Sequence, residues 1–187
     1  MGERSTRDAE IRSARLRLRP MSPPLLAAFL AGRRDESARL VGAGVPGDWP
    51  DEHDARFLRL RLGELGQAPE LQEWIVRAVV LDHPRPRMIG HAGFHGPPGR
   101  NGPGKAGALE LGYTIFEPFR GNGYATEAAR ALMDWARARH GVEHFIASVA
   151  PGNVPSLAVV RRLGFEQIGE QWDDEDGLEL VFELGSS

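Results

Sequence analysis

Residues 120–125 read Arg120-Gly121-Asn122-Gly123-Tyr124-Ala125, and this glycine-rich stretch joins two strongly patterned segments. Residues 109–115 form an apolar run typical of a strand, and a long amphipathic helical pattern follows the glycines. Glycines let a chain come close to a ligand, and the N-terminus of a helix carries a partial positive charge. A strand, a glycine-rich turn and a helix in this order therefore predict a site for a phosphate-bearing ligand.

Two common phosphate-binding motifs do not fit this turn. A P-loop needs Gly-Lys-Ser/Thr at a fixed distance after its first glycine, and Gly121 is not followed by it. A dinucleotide fingerprint needs a third glycine in register and repeated βα units upstream, which the chain lacks. A plain tight connection without a ligand stays open as an alternative for the turn alone.

The helix after the turn has the clearest pattern in the chain. Its apolar residues follow the spacing of a single helical stripe and are Ala125, Ala128, Ala129, Leu132, Met133 and Ala136. Gly141 stands where a helix is expected to end. Beyond it the patterns predict a strand at 144–149, a short helix that ends at residue 163, and a closing hairpin of strands at 166–172 and 178–184.

The first half of the chain is predicted to supply further strands and helices. Pro23 and Pro24 open a short helix, since proline is tolerated in a first turn. In residues 51–65 the leucines alternate in part with other residues, as in a strand. The length of the segment and its acidic first turn nevertheless favour a helix. The other segments are a strand at 11–18, antiparallel strands at 73–81 and 88–94, and a flexible loop at 96–107. We therefore expect a mixed α/β sheet flanked by helices, in a single domain over residues 11–187 after a flexible N-terminus at residues 1–10.

Composition limits the function of the chain. Its 187 residues carry a net charge of −3, which argues against a nucleic-acid partner. The chain has no cysteine, which excludes disulfides, thiolate metal sites and a thioester enzyme intermediate. Its six histidines lack ligand spacing, so we expect no metal site. No apolar run approaches about 20 residues and no signal-peptide pattern opens the chain, so we expect a soluble, cytoplasmic protein without a membrane partner.

A second motif follows the glycine-rich turn. Asn153 and Ser156 open the predicted short helix, which ends in Leu163-Gly164-Phe165. The turn and this block together resemble the acetyl-CoA-binding core of the GCN5-related N-acetyltransferase (GNAT) superfamily. The residues that match the family signature Arg/Gln-x-x-Gly-x-Gly/Ala are Arg120, Gly123 and Ala125. The resemblance is strong over residues 108–165, and it is nearest to the branch of ribosomal-protein N-terminal acetyltransferases (RimJ/RimL-like).

This resemblance implies a fold and a coenzyme site. The implied fold is a central, mostly antiparallel sheet that splays open into a slot for acetyl-CoA. The coenzyme's arm would pair with the strand at 111–115, which separates from its neighbour after residue 149. The implied coenzyme-binding residues are Tyr113, Thr114, Ile115, Arg120, Gly121, Asn122, Gly123, Tyr124, Ala125 and Asn153. Packing by Tyr113 and Tyr124 and helix capping by Asn153 are the alternatives.

Acyl transfer to an amine needs a neutral amine and a proton for the leaving thiolate. Glu110, on the strand ahead of the turn, is the candidate general base, and a solvent-facing strand position is the alternative. Ser156 resembles the family's proton donor to the thiolate, and the alternatives are a polarising role, since a serine hydroxyl is a poor acid, and helix capping. His91 and His95 lie four residues apart, so they share one face of a strand, where they either pack or face the acceptor. An acidic turn at 173–176 would attract cationic amines.

The resemblance implies direct transfer of an acetyl group from acetyl-CoA to a primary amine in a ternary complex. An α-amine with a pKa of about 8 is neutral more often at pH 7 than a lysine with a pKa of about 10.4, so it needs less help from a base. The acceptor stays open between a protein N-terminus and a small-molecule amine. Members of the branch often form dimers, so a homodimer is also expected. The alternative function is a non-catalytic acyl-CoA-binding or sensing module with the same fold.

Overall fold

The structure of the protein, a computed structural model, describes residues 10–174 and 177–185. Most of the predicted flexible N-terminus lies outside these residues, and so do Glu175 and Asp176 of the acidic turn. The strands are β1 (Ile11–Arg12), β2 (Leu16–Pro20), β3 (Arg77–Leu81), β4 (Arg87–Phe94), β5 (Leu109–Ile115), β6 (Phe145–Val149), β7 (Glu166–Asp173) and β8 (Gly177–Leu184). The α-helices are α1 (Pro23–Leu30), α2 (Arg34–Val41), α3 (Glu52–Gln67), α4 (Tyr124–His140) and α5 (Val154–Leu163). Across the described ranges, no helix is both long and apolar enough to cross a membrane.

The strands form one sheet in the order β1-β2-β3-β4-β5-β6-β8-β7. Every neighbouring pair is antiparallel except β5 and β6. This parallel ladder holds only two pairs, Leu109 with Phe145 and Glu110 with Ile146. The predicted splay is therefore present, but it opens after Ile146 rather than after residue 149. The reason is that β6 pairs with β8 over its whole length, so the two strands together diverge from β5.

Helices cover both faces of the sheet. The core under α1, α2 and α3 includes Leu25, Phe29, Val41, Leu58 and Met88. The core under α4 and α5 includes Leu109, Leu132, Phe145, Leu157 and Val160. Val79 and Val80 of β3 are both fully buried but belong to different cores, because successive side chains of a strand point to opposite faces. The prediction of a mixed α/β sheet flanked by helices is confirmed.

Three segments differ from the elements expected from the sequence. The strand expected at 11–18 is interrupted at Ser13, whose hydroxyl accepts a hydrogen bond of 3.1 Å from the Leu16 N–H and closes a hairpin between β1 and β2. The strand expected at 73–81 begins only at Arg77, because the 3₁₀ helix Pro69–Glu73 occupies its start. Between this 3₁₀ helix and β3, the backbone at Ile75 passes close to Gly93, where a Cβ would lie 2.9 Å from the Ile75 carbonyl carbon. The helix α2 has no counterpart among the predicted elements.

Candidate active site

The turn after β5 has the geometry of an anion site. Gly121 and Gly123 have φ values of 78° and 79°, in the left-handed region that favours glycine. The helix α4 begins directly after Gly123, and no side chain among the described residues caps its N-terminus. The N–H groups of the first helical turn have no acceptor within the helix. They are therefore available to donate to phosphate oxygens.

A cavity of about 250 Å³ lies at this turn, between the start of α4 and α5, and we call it the turn cavity. Six of the ten residues predicted to bind the coenzyme line it, namely Ile115, Arg120, Gly121, Gly123, Tyr124 and Ala125. The Arg120 Nε donates a hydrogen bond of 2.9 Å to the Ile115 carbonyl, which holds the guanidinium at the end of β5. Arg162 of α5 adds a second cation to the lining. No sequence pattern indicated Arg162, because α5 reaches this site only by packing in three dimensions.

Two predicted coenzyme residues, Asn122 and Asn153, lie outside the lining of the turn cavity. The Asn122 Nδ2 donates to the carbonyls of Phe119 and Arg120, at 3.2 and 3.0 Å, and so fixes the shape of the turn. The Asn153 Oδ1 accepts a hydrogen bond of 3.2 Å from the Ser156 N–H and caps α5. This cap uses only Oδ1, so a contact between the Asn153 amide NH₂ and the coenzyme stays a prediction.

A second cavity, of about 400 Å³, lies between α3 and the strands β4 and β5, and we call it the sheet cavity. Gly93 lies directly opposite Gly112 in its floor, and His91 lies opposite Thr114. The two glycines let other parts of the protein come close, because the Ile75 backbone lies over Gly93 and the His95 ring lies over Gly112. Thr114 and Tyr113 line the sheet cavity and not the turn cavity, although both were predicted to bind the coenzyme.

The carboxylate of Glu110 is buried at one end of this floor, with only 1% of the residue exposed. The Ser148 hydroxyl donates to its Oε1 at 2.6 Å, and the Gly102 N–H donates to its Oε2 at 2.6 Å. The His95 Nδ1 lies 3.5 Å from Oε2. Burial by itself would raise the pKa of Glu110, but His95 and these two donors outweigh it and hold the pKa below its ordinary value. The solvent-facing alternative for Glu110 is therefore wrong.

The loop at residues 96–107 completes the surroundings of Glu110. The loop is irregular, as expected, but the Asn101 side chain ties it together through hydrogen bonds with the backbone of Lys105 and Ala108. Gly102 packs against Gln171, where a Cβ would lie 2.4 Å from the side-chain oxygen. The Gln171 Nε2 in turn donates to the Ser148 hydroxyl at 3.0 Å. The carboxylate thus has a fixed set of polar partners, which come from distant parts of the sequence.

The imidazole of His95 connects this buried carboxylate to the sheet cavity. Its side chain is 46% exposed and lines the cavity, whereas Glu110 does not. A Cβ on Gly112 would lie 3.2 Å from the His95 Nε2, so the ring lies across that glycine. The Nδ1 side of the ring faces the carboxylate. This arrangement of a buried carboxylate and a cavity-lining imidazole is one that orients a histidine for proton transfer.

The hydroxyl groups of Tyr113 and Ser156 come together between the two cavities. Burial raises the pKa of Tyr113, and the neighbouring Ser156 hydroxyl lowers it in part. The buried Tyr113 hydroxyl makes no hydrogen bond of good geometry within the described part of the chain. Pro155, next to Ser156, lines the turn cavity, and Tyr113 lines the sheet cavity. Residues 113 and 155, which line different cavities, are thus linked through the contact between Tyr113 and Ser156.

Comparison with known proteins agrees with this geometry. Residues 15–166 match the family model described as the acetyltransferase (GNAT) domain. The chain belongs to the GNAT acetyltransferase family. The uncharacterised N-acetyltransferase YjdG of Bacillus subtilis is 29% identical over 155 residues, which are 81% of this chain and 86% of that protein. The identity of the chain as an acetyltransferase therefore rests on both its family and its relatives.

Solved structures show the same fold as this acetyltransferase. A candidate GNAT-family acetyltransferase from Bordetella pertussis superposes with a TM-score of 0.67 at 23% identity, over 94% of this chain and 99% of that one. The Mycobacterium smegmatis RimJ protein in complex with a coenzyme A disulfide gives a TM-score of 0.60 at 20% identity, over 91% of this chain and 82% of that one. The predicted GNAT fold and the likeness to RimJ-type proteins are confirmed.

His91 has a different environment from His95 in this acetyltransferase. Its ring stacks on Phe57 with 4.9 Å between ring centroids, and its Nε2 lies 3.6 Å from the Asp54 Oδ1. Burial would raise the pKa of Asp54, but His91 is the main influence that lowers it below the ordinary value. His91 therefore joins α3 to β4, and the packing alternative describes it better than it describes His95.

The N-terminal hairpin of the acetyltransferase braces the coenzyme turn. The Arg15 Nη2 lies 2.7 Å from the Glu127 Oε2 and donates to the Asn122 carbonyl at 3.2 Å. Its guanidinium also lies over the Tyr124 ring, 4.5 Å from the centroid. The alternating arginines and leucines predicted a strand, but the pattern did not indicate that Arg15 holds the first turn of α4.

The polar partners of Glu110 predict a pH-dependent stability. The pKa of Glu110 is lowered on folding from an ordinary value of 4.5, so its contribution is fully present above that pH and is lost as the pH falls toward the folded value. We expect Glu110→Gln to lower the free energy of unfolding by about 1–3 kcal/mol at pH 7. The difference from the wild type should shrink below pH 4.5, as measured by urea unfolding at several pH values. A difference that grows as the pH falls would contradict the assignment.

Proposed function

We propose that this acetyltransferase moves an acetyl group directly from acetyl-CoA to a primary amine. One observation carries the proposal: β5 lines both cavities, through Ile115 in the turn cavity and through Gly112 in the sheet cavity. A ligand that begins at the turn can therefore reach the sheet cavity along a single strand. The acceptor amine enters from the sheet cavity, and the acetyl group is transferred where the turn cavity and the sheet cavity meet.

The turn cavity suits the pyrophosphate of the coenzyme. Its N–H groups at the start of α4 and its two guanidinium groups, from Arg120 and Arg162, complement phosphate charge. Beyond Glu110, the described edge of β5 toward β6 has no backbone ladder. The amides of the coenzyme's arm would pair with this open edge as an added strand does. The structure of Mycobacterium smegmatis RimJ, which shares this fold, holds a coenzyme A disulfide, and this supports coenzyme A as the ligand.

His95 is the proton acceptor in this proposal, and Glu110 is a positioning residue. Glu110 has both carboxylate oxygens engaged and does not line the sheet cavity, so it acts through the imidazole. The amine nitrogen attacks the thioester carbonyl, and His95 accepts the proton that the nitrogen loses. This proposal differs from the sequence-based expectation, in which Glu110 itself takes the proton, directly or through a water.

The leaving thiolate needs a proton when the C–S bond breaks. The Ser156 hydroxyl supplies it and is reprotonated from solvent, and the Tyr113 hydroxyl lies beside Ser156. A serine hydroxyl is a weak acid, so the alternative is a hydrogen bond from Ser156 that stabilises the thiolate until solvent protonates it. Because the chain has no cysteine, no cysteine acyl-enzyme can form, and direct attack of the amine within a ternary complex is the simpler scheme.

Calorimetry and thiol release together test the proposal. We expect coenzyme A to bind to the purified chain, and acetyl-CoA to release free thiol when primary amines are added. Absence of coenzyme binding would contradict the proposed coenzyme site. Binding without thiol release over a broad amine panel would instead favour the non-catalytic acyl-CoA-binding or sensing module.

A further inference from the structure

Arg61 stands out in the wall of the sheet cavity. Its side chain is only 11% exposed, and its Nη1 donates to the Glu64 Oε2 at 2.8 Å. Its guanidinium carbon lies 5.1 Å from the centroid of the Phe57 ring. The Nε of Arg61 is buried and has no hydrogen-bond acceptor among the residues that the structure describes. A buried donor without an acceptor is unfavourable, so the described residues leave the Arg61 guanidinium incompletely satisfied at the wall of the cavity.

The charges around Arg61 also favour an anion. Glu64, its carboxylate partner, is shared with Arg100, so two guanidinium groups divide one carboxylate. Arg56 also lines the sheet cavity and forms no ion pair within the described ranges. Guanidinium groups bind carboxylates and phosphates through paired N–H donors, and not all of the N–H donors of Arg61 have a partner among the described residues.

The other charged groups at this cavity are already engaged. Asp54 lies against His91, and Glu110 is held by its donors behind His95. His53 also lines the cavity. The carboxylates at the cavity have partners, whereas Arg61 and Arg56 keep unused N–H donors. A ligand that complements the cavity therefore carries a negative charge.

We propose that the acceptor is a small amine that also carries a carboxylate or phosphate group, which Arg61 binds with help from Arg56. The inference rests on the proposed function, since it concerns the acceptor of the same reaction. Arg61 lies on α3 and His95 directly follows the end of β4, so the anionic group lies against the helix while the amine lies against the sheet. A cavity of about 400 Å³ suits a small molecule.

Matched amine pairs test this inference. One pair is an α-amino acid and its amide, and another is an aminoalkyl phosphate and the corresponding amino alcohol. We expect kcat/KM for the anionic member of at least one pair to be about 10- to 100-fold higher, the range for hydrogen bonds to a charged group. The pair that shows the difference identifies carboxylate or phosphate as the anion.

Variants on α3 assign the difference to Arg61. We expect Arg61→Gln to lower kcat/KM for the anionic member of the pair far more than for the neutral member and so to remove most of the preference, with Arg61→Lys intermediate. Arg56→Gln, at an exposed position, should reduce the preference in part and keeps the test valid if Arg61→Gln does not fold. Arg59→Gln is the matched control, because Arg59 is exposed, pairs with Glu52 and lies outside the sheet cavity.

The outcomes separate this inference from the function on which it rests. Equal or better turnover of neutral amines or basic peptides by the wild type would overturn the anionic acceptor and leave the acetyltransferase proposal intact. A preference for anions that survives both Arg61→Gln and Arg56→Gln would overturn the assigned site. No turnover of any amine, with or without coenzyme binding, would count against the proposed function itself.

Discussion

Gly123→Trp is expected to abolish coenzyme A binding while the chain stays folded. Gly123 lies at the start of α4 and lines the turn cavity, so an indole there would occupy the space where phosphate oxygens approach the N–H groups. We expect the dissociation constant to rise by 100-fold or more, about the loss of two charge-assisted hydrogen bonds. Calorimetry with coenzyme A measures the change, and circular dichroism checks the fold.

Gly141→Trp is the matched control for this substitution. Gly141 ends the same helix with a φ of 65°, and nothing lies within 4 Å of a Cβ built there. A side chain at either glycine carries the same kind of backbone strain, about 1–2 kcal/mol. We therefore expect Gly141→Trp to lower stability but to leave coenzyme affinity unchanged. Coenzyme affinity that survives Gly123→Trp would place the phosphates elsewhere.

His95→Ala is expected to lower kcat/KM by about 10²- to 10⁴-fold, the usual contribution of a general base. Coenzyme affinity should be unchanged, because His95 lines the sheet cavity and not the turn cavity. Added imidazole should restore part of the rate, since the substitution leaves space beside Gly112. Thiol-release kinetics with and without imidazole measure both effects.

Glu110→Gln and a second histidine complete this test. We expect Glu110→Gln to lower kcat by about 10- to 100-fold, as for residues that orient a catalytic group, and to have no further effect in the His95→Ala background. His144 is the matched control because it is 45% exposed and pairs with Glu183 at 3.3 Å, but it lies outside both cavities. Full additivity of the two losses would contradict the positioning role of Glu110.

Much of the fold was predictable from local patterns. The apolar stripe of α4 and the run of β5 follow directly from residue spacing, because a long helix or strand needs only its own periodicity to be recognised. The strand expected at 73–81 was wrong at its start, since the close approach of Ile75 to Gly93 is a long-range contact that spacing does not reveal. Likewise, a single serine hydroxyl at Ser13 divided the first strand into a hairpin.

The candidate site was predictable only where it is continuous in sequence. Six predicted coenzyme residues line one cavity because they follow one another along the end of β5, the turn and the start of α4. Arg162 joins them from α5, and Arg61 reaches the sheet cavity from α3. These residues were missed because helix packing, which brings them to the site, leaves no local pattern.

The sequence by itself determined that a strand, a glycine-rich turn and a helix follow one another here, and it predicted an anion site at residues 120–125. This follows because φ angles near 80° at Gly121 and Gly123 and a helix start are local properties of the chain. Only the tertiary structure decided that Glu110 is buried and reaches the sheet cavity through His95. Its partners, Gly102 and Ser148, are 8 and 38 residues away along the chain, and the folded sheet brings them together. Burial and polar contacts between distant segments thus separated the buried carboxylate of Glu110 from the imidazole of His95, which lines the sheet cavity.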